Sequence, residues 1–167
     1  MTSCARRTEH QAPKTQSAMR IVIQKVSQAM VKVDNEIVSQ IAKGYMLLVG
    51  ISTEDTIADA QKLSNKVLNL RLFETGDQFW KHSIQDVQGE ILSVSQFTLM
   101  ARTKKGNKPD FHKAQKGEHA QELYNQFLDL LKTTLGADKV KDGQFGAMMS
   151  CSLTNEGPVT IILDSTE

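Results

Sequence analysis

The chain is short of the residues that build metal sites, disulfide frameworks and membrane spans. Its 167 residues include two cysteines, Cys4 and Cys151. That is too few for a disulfide framework, and it suits a reducing compartment, so a cytoplasmic protein is expected. The four histidines, His10, His82, His112 and His119, form no HxH or HExxH pattern, and no CxxC occurs. Ligand spacing of the zinc type is therefore missing, and neither a metal nor another cofactor is expected. No apolar run approaches the ~18 residues of a membrane-spanning helix. Aromatic residues make up 5% of the chain, so the core must be mainly aliphatic. The formal net charge is only +1, which excludes a global attraction to nucleic acid and leaves room only for a local basic patch. No G-x-S-x-G nucleophile elbow is present. Gly143-Gln144-Phe145-Gly146 lacks the lysine and following helix of a phosphate loop.

What is present divides at Met19. Residues 1–18 are rich in Ser, Thr, Gln and Ala without apolar periodicity, which predicts a disordered N-terminal extension. Residues 19–167 predict one domain. Arg20–Val33 alternates as a strand does, Asp34-Asn35 signals a turn, and Ile37–Ile41 returns as a hairpin partner. Tyr45–Ile51 reads as a strand buried on both faces. Thr53–Thr56 offers helix caps before Ala60, Leu63, Val67 and Leu70 at helical spacing. Arg71–Phe73 is a short strand, and residues 74–88 are expected to be irregular. Glu90–Met100 predicts one strong strand and Thr103–Lys116 a polar loop. A second helix follows over Gly117–Leu135, carrying Ala120, Leu123, Tyr124, Phe127, Leu130 and Leu131 on its apolar side and ending at Gly136. Phe145–Leu153 and Val159–Leu163 complete the set as two more strands. With too few helices for strict β-α-β alternation, the fold class is α+β: a curled, largely antiparallel sheet or barrel with two main helices packed on it.

Two motifs break these patterns. Ser95-Gln96-Phe97-Thr98-Leu99 puts three polar side chains into an apolar run, and Asn155-Glu156-Gly157-Pro158-Val159-Thr160 puts a Gly-Pro step before the last strand. Proline fixes φ, removes a donor and is the residue at which cis peptide bonds occur. On the residues alone, the second motif is equally a tight turn, and Thr98 equally a β-favouring strand residue. Directly after the first motif comes a basic segment, Arg102, Lys104, Lys105, Lys108, Lys113 and Lys116 against the single acid Asp110. It is either a solvated loop or a phosphate-contacting patch.

Taken together, these motifs resemble those of the D-aminoacyl-tRNA deacylase family, also called D-tyrosyl-tRNA(Tyr) deacylase, in its fungal form. The resemblance runs through Ile21-Val22-Ile23-Gln24-Lys25-Val26, Gly50-Ile51, Leu70-Arg71-Leu72-Phe73, Val94 to Leu99, Lys105 to Phe111, Gly143 to Met149 and Asn155 to Thr160. It departs at Asp77-Gln78-Phe79-Trp80-Lys81-His82, where the family often has Gly-Lys-Met-Asn, and in the residues before Met19.

The resemblance implies a metal-free esterase that removes D-amino acids from tRNA. It also implies a homodimer with active sites at the subunit interface. Gly157 and Pro158 would form a cis step projecting into the partner's pocket, where backbone carbonyls exclude L side chains and admit D side chains or glycine. Phe145 and Met149 would line the adenosine pocket. Arg102, Lys104, Lys105, Lys108 and Lys113 would hold the acceptor end of tRNA; neither DNA nor a membrane is an expected partner. For the chemistry, Thr98 lacks the adjacent base that a hydroxyl nucleophile needs, and Gln96 can only hydrogen bond. The expectation is substrate-assisted hydrolysis: Ser95, Gln96 and Thr98 position the substrate, the N–H groups of Phe97 and Thr98 stabilise the oxyanion, and the ribose 2′-hydroxyl aids the water. Two other readings of the same residues are a non-enzymatic RNA-binding module and a structural dimer built on the final strand.

Overall fold

The computed structural model describes residues 18–167. Of the expected extension, residues 1–17 lie outside the described residues, while Ala18 is buried beside Met19. The elements are strands β1 (Arg20–Val33), β2 (Glu36–Ile41) and β3 (Gly44–Gly50), helix α1 (Ile57–Asn69), strands β4 (Arg71–Thr75), β5 (Gln78–Ser83) and β6 (Glu90–Ser95), a 3-10 turn (Phe97–Met100), helix α2 (Gly117–Leu135), and strands β7 (Val140–Asp142) and β8 (Ser150–Asp164). The main sheet runs β2-β1-β3-β6-β7, and β8 pairs with β1 on its other side. Pairings to β1 are antiparallel; β3–β6 and β6–β7 are parallel. The α+β class stands, with the sheet curled nearly into a barrel.

Alternation along the inner strands feeds two cores. Tyr45, Leu47 and Val49 of β3, with Ile21, Ile23 and Ile91, join the cluster covered by the helices. Met46, with Val26, Ala29, Val31, Leu92 and Val94, forms a second cluster on the other face. That explains the unbroken apolar run in β3: both of its faces are covered. Helix α1 starts at Thr56, whose backbone N–H donates to Asp59 Oδ2 at 2.8 Å in a capping box. It buries Ala60, Leu63 and Val67; α2 buries Ala120, Tyr124, Phe127, Leu128 and Leu131. Each of the larger side chains contributes about 1.5–3 kcal/mol through burial. Among the described residues, no helix is long and apolar enough to cross a membrane. No group of three or more His, Cys, Asp or Glu among them is placed to hold a metal ion.

Four expectations are corrected. Residues 74–83 are not irregular, although 84–88 are turns: β5 pairs with β4 as a separate hairpin, its apolar residues Phe79 and Trp80 facing solvent rather than marking a buried strand. The strand from Glu90 ends at Ser95 and gives way to the 3-10 turn. Residues 145–149 are not strand; the unexpected β7 pairs beside β6 instead, and is too short and polar to show as a pattern. Strand β8 runs unbroken from Ser150 through the Gly-Pro step. It is open on one face, with Ile161 and Leu163 partly buried and Ile162 64% exposed.

The β3–α1 connection carries a titrating group. Asp55 Oδ2 accepts the Ser52 N–H at 2.6 Å, yet burial outweighs this bond and lifts its carboxyl from 3.8 to about 6. Across that window the folded chain holds a proton that the unfolded chain releases, so the Asp55 contribution to stability falls as pH rises towards about 6 and stays lost above it. Asp55→Asn keeps an acceptor for Ser52 without the buried charge. Thermal unfolding from pH 4 to 8 should show Asp55→Asn more stable than the parent above pH 6, with the advantage vanishing near pH 4. An advantage independent of pH would refute this assignment.

Candidate active site

At the end of β6 the backbone leaves the sheet. Gln96 N–H donates to Val49 O at 2.7 Å, and the chain then folds into the Phe97–Met100 turn, closed by Leu99 N–H to Gln96 O at 3.2 Å and Ala101 N–H to Thr98 O at 3.1 Å. Gly50 makes room for this turn. A Cβ there would lie 2.8 Å from Leu99 Cβ and 2.9 Å from Met100 Cε. From the other side, Arg20 Nη1 donates to Leu99 O at 3.1 Å while its Nη2 pairs with Asp164 Oδ2 at 3.3 Å. The two ends of the domain thus grip the turn.

In this turn Phe97 and Thr98 are exposed, and Ser95 and Gln96 half-buried. Gln96 Nε2 donates to Thr98 Oγ1 at 2.5 Å. Among the described residues, no acid or histidine hydrogen bonds to that hydroxyl. The leading N–H groups of a helical turn have no acceptor behind them within the turn. Here those groups belong to Phe97 and Thr98, making a ready pair of donors.

The basic segment begins at the exit of the turn. Arg102 and Asp110 exchange backbone hydrogen bonds of 2.8 and 2.9 Å, closing a loop that carries the exposed Lys104, Lys105 and Lys108. Lys113 is turned aside, its Nζ 3.1 Å from Glu54 Oε1. Asp110 accepts from the His112 N–H and pairs with its ring, interactions that hold the Asp110 carboxyl below the usual carboxylate range.

Gly157 and Pro158 lie on an excursion of β8. Gln24 pairs with Thr160 and Val26 with Asn155, so residues 156–159 face Lys25 alone. The Gly157–Pro158 peptide is cis. Asn155 braces the excursion, its Oδ1 accepting the Val159 N–H at 3.1 Å and its Nδ2 donating to Thr160 Oγ1 at 2.9 Å. Gly157 has φ +119°, and a Cβ would lie 2.7 Å from Val159 Cγ2. Beneath it, Lys25 is 5% exposed, paired with Glu74 and 5.3 Å from the Phe73 ring centroid. The lysine lowers the Glu74 carboxyl. A groove of about 350 Å³ flanks Gly157, lined by Leu72, Glu74, Phe79 and Trp80 among others, and by none of residues 95–98.

The proposed adenosine residues divide between the cores. Phe145 packs against the helix-side cluster, 6.0 Å from the Tyr124 ring, and Met149 against the opposite one. The Tyr124 hydroxyl donates to Asp142 Oδ1 at 2.7 Å, just before the loop that carries them. One chain therefore brings together Ser95, Gln96, Phe97, Thr98 and the basic loop, but not the excursion. Strand β1 carries Arg20 at the turn and Lys25 at the excursion, and its rise of ~3.3 Å per residue separates them by roughly 17 Å. Arg20, Asp164 and Phe111 do not stand out in the sequence, because each meets a partner distant in the chain.

The chain matches the family described as D-Tyr-tRNA(Tyr) deacylase over residues 22–164. It is 67% identical over 150 residues to the D-aminoacyl-tRNA deacylase of Saccharomyces cerevisiae, covering 89% of this chain and 100% of the relative. It is 55% identical over 149 residues to the protein of that name from Schizosaccharomyces pombe, covering 89% of this chain and all of the relative. A solved structure titled c-Myc DNA Unwinding Element Binding Protein superposes with TM-score 0.82 at 47% identity, covering 86% of this chain and 97% of that one. A probable eukaryotic D-amino acid tRNA deacylase shares the fold, with TM-score 0.78 at 19% identity over 88% of this chain and 99% of that one. The family match and these relatives place this small α+β domain among the hydrolases acting on ester bonds. Within that class, the chain belongs to the D-Tyr-tRNA(Tyr) deacylase family.

Gly50 is the point at which the turn is most vulnerable. Gly50→Ala should cost about 1–3 kcal/mol by overpacking, measurable by chemical denaturation. It should also lower ester hydrolysis at least tenfold in protein that remains folded. Full activity in Gly50→Ala would show that the seating of the turn is not required.

Proposed function

We propose that the chain hydrolyses the ester between a D-amino acid and the terminal ribose of tRNA, as a homodimer. The observation that carries this reading is the Phe97–Met100 turn, which offers two N–H donors beside a hydroxyl with no base and a loop of exposed lysines. Water adds to the ester carbonyl, the developing oxyanion is held by the N–H groups of Phe97 and Thr98, and the ribose oxygen leaves with a proton. The ribose 2′-hydroxyl, adjacent to the ester, orients the water and relays that proton. Thr98, tied to Gln96, positions the carbonyl with Ser95. The loop that carries Phe145 and Met149 receives the adenine, and Arg102, Lys104, Lys105 and Lys108 supply charge towards the acceptor end, Lys113 being paired with Glu54.

Chirality is read by the Gly157–Pro158 excursion. A backbone gate excludes an L side chain by collision without reading the identity of a D side chain, and it admits glycine. Because the excursion and the turn stand apart within one chain, the gate serves the site of the partner subunit. Phe79 and Trp80, which flank the gate, and Ile162 further along its strand are 66, 56 and 64% exposed, and they supply apolar surface for such a contact.

Matched D-, L- and glycyl-tRNA should be hydrolysed by chelator-treated protein in the order D, then glycine, with L untouched. Thr98→Ala should retain activity within about tenfold, whereas loss of nearly all activity with tRNA still bound would make Thr98 the nucleophile. tRNA binding without release from any substrate would leave an RNA-binding module instead.

Gly157→Ala forces a side chain into a backbone region that only glycine enters freely. It should erode the D-over-L preference by at least tenfold. Sedimentation should show a dimer whose dilution removes activity in step with dissociation; a monomer with full D-over-L discrimination would overturn the shared site.

A further inference from the structure

Phe97 does not stand alone at the surface. Although 52% exposed, its ring meets that of Phe111 edge to face, with centroids 5.2 Å apart and planes at 71°. Phe111 is held at both sides. Before it, Asp110 is bonded to Arg102 through the backbone; after it, the His112 N–H donates to Asp110 Oδ1 at 2.9 Å and the Ala114 N–H to Phe111 O at 3.0 Å. Further along, Gln115 N–H donates to Ile51 O at 2.9 Å, tying the segment to the end of β3. Two aromatic rings are therefore presented on rigid backbone at the root of the loop carrying Lys104, Lys105 and Lys108. The single acid of that segment, Asp110, is paired with His112.

Rigid aromatic faces set in a cationic surface match the chemistry of single-stranded nucleic acid, whose bases stack while lysines meet the phosphates. The other exposed aromatic pair, Phe79 and Trp80, lines a groove that contains Glu74 and Glu156 and a single lysine, Lys25, which is buried and paired with Glu74, a poor surface for phosphate. We propose that Phe97 and Phe111 form a stacking platform for the unpaired nucleobase immediately before the terminal adenosine of the acceptor end, with the lysines of the 103–109 loop holding its phosphates. This rests on the deacylase reading for the identity of the RNA. It adds a subsite that reads length of single strand rather than amino acid.

The test compares two substrates and one binding pair. Phe111→Leu keeps apolar bulk beneath Phe97 but removes the aromatic face. With D-aminoacyl-tRNA it should raise KM roughly tenfold, the scale of one lost stacking contact, with kcat unchanged. On a D-amino acid esterified to adenosine alone it should change nothing. Phe111→Tyr should restore the parent KM. In direct binding, the parent should prefer an RNA stem with a single-stranded 3′ overhang over the blunt stem, and Phe111→Leu should lose that preference. Equal losses on tRNA and adenosine esters would show that Phe111 only props the turn, and an unchanged KM on tRNA would show that the platform is unused; either overturns the proposal. If the parent cleaves no ester, the deacylase reading fails, and the overhang preference still decides whether the platform exists.

Discussion

Strand β1 is the constraint on which the rest of the domain hangs. Its 14 residues pair with β3 over the first half, with β2 over the second, and with β8 along nearly the whole length. Among the described residues, no other strand has three partners. Because both edges are hydrogen bonded, β1 has no freedom to slip, and a slip by one residue would exchange its two apolar sets between the two cores. Arg20 at one end and Lys25 further along are therefore held at a fixed separation. The first grips the Phe97–Met100 turn and the second faces the Gly157 excursion. The spacing between the turn and the excursion is a property of a strand, not of a loop.

The candidate site is built largely from backbone. Its donors are main-chain N–H groups, the turn is seated against a glycine, and the excursion is braced by an asparagine bonding to a main-chain N–H. Side chains around it hold positions more than they titrate. Gln96 restrains Thr98, Asp164 restrains Arg20, and Asp110 restrains the Phe111 segment. Such a design suits an ester, whose carbonyl needs polarisation and alignment more than a strong base. It also suits esters that vary in side chain, since main-chain donors do not read side-chain identity.

Elements with long, regular patterns are legible in the amino-acid sequence alone. β1, the hairpin to β2, β3 and both helices fall where alternation, the Asp34-Asn35 turn and helical spacing put them; β1, β3 and the helices bury continuous stripes, whereas β2 buries only Ile41 and is placed by its turn. Legibility fails where burial and pattern part company. β5 carries Phe79 and Trp80 outward, β7 has three residues and two charges, and β8 continues through proline because an excursion absorbs it. Glu90–Met100 reads as one strand because Phe97, Leu99 and Met100 are apolar enough to continue it. What stops the strand is the space beside Gly50 and the reach of Arg20, neither of which is local.

The sequence by itself determined the fold class, the family, the two motifs and the basic loop, since all of these are written in contiguous residues and their periodicity. Tertiary structure alone decided how they are arranged. It turned Lys113 towards Glu54, set Phe111 against Phe97, divided Phe145 and Met149 between two cores, and kept the Gly157 excursion away from the Ser95–Thr98 turn of its own chain. The physical reason is that motifs are properties of the chain, whereas distances between them are set by strand register and by which faces must be buried, and both depend on residues far apart in sequence.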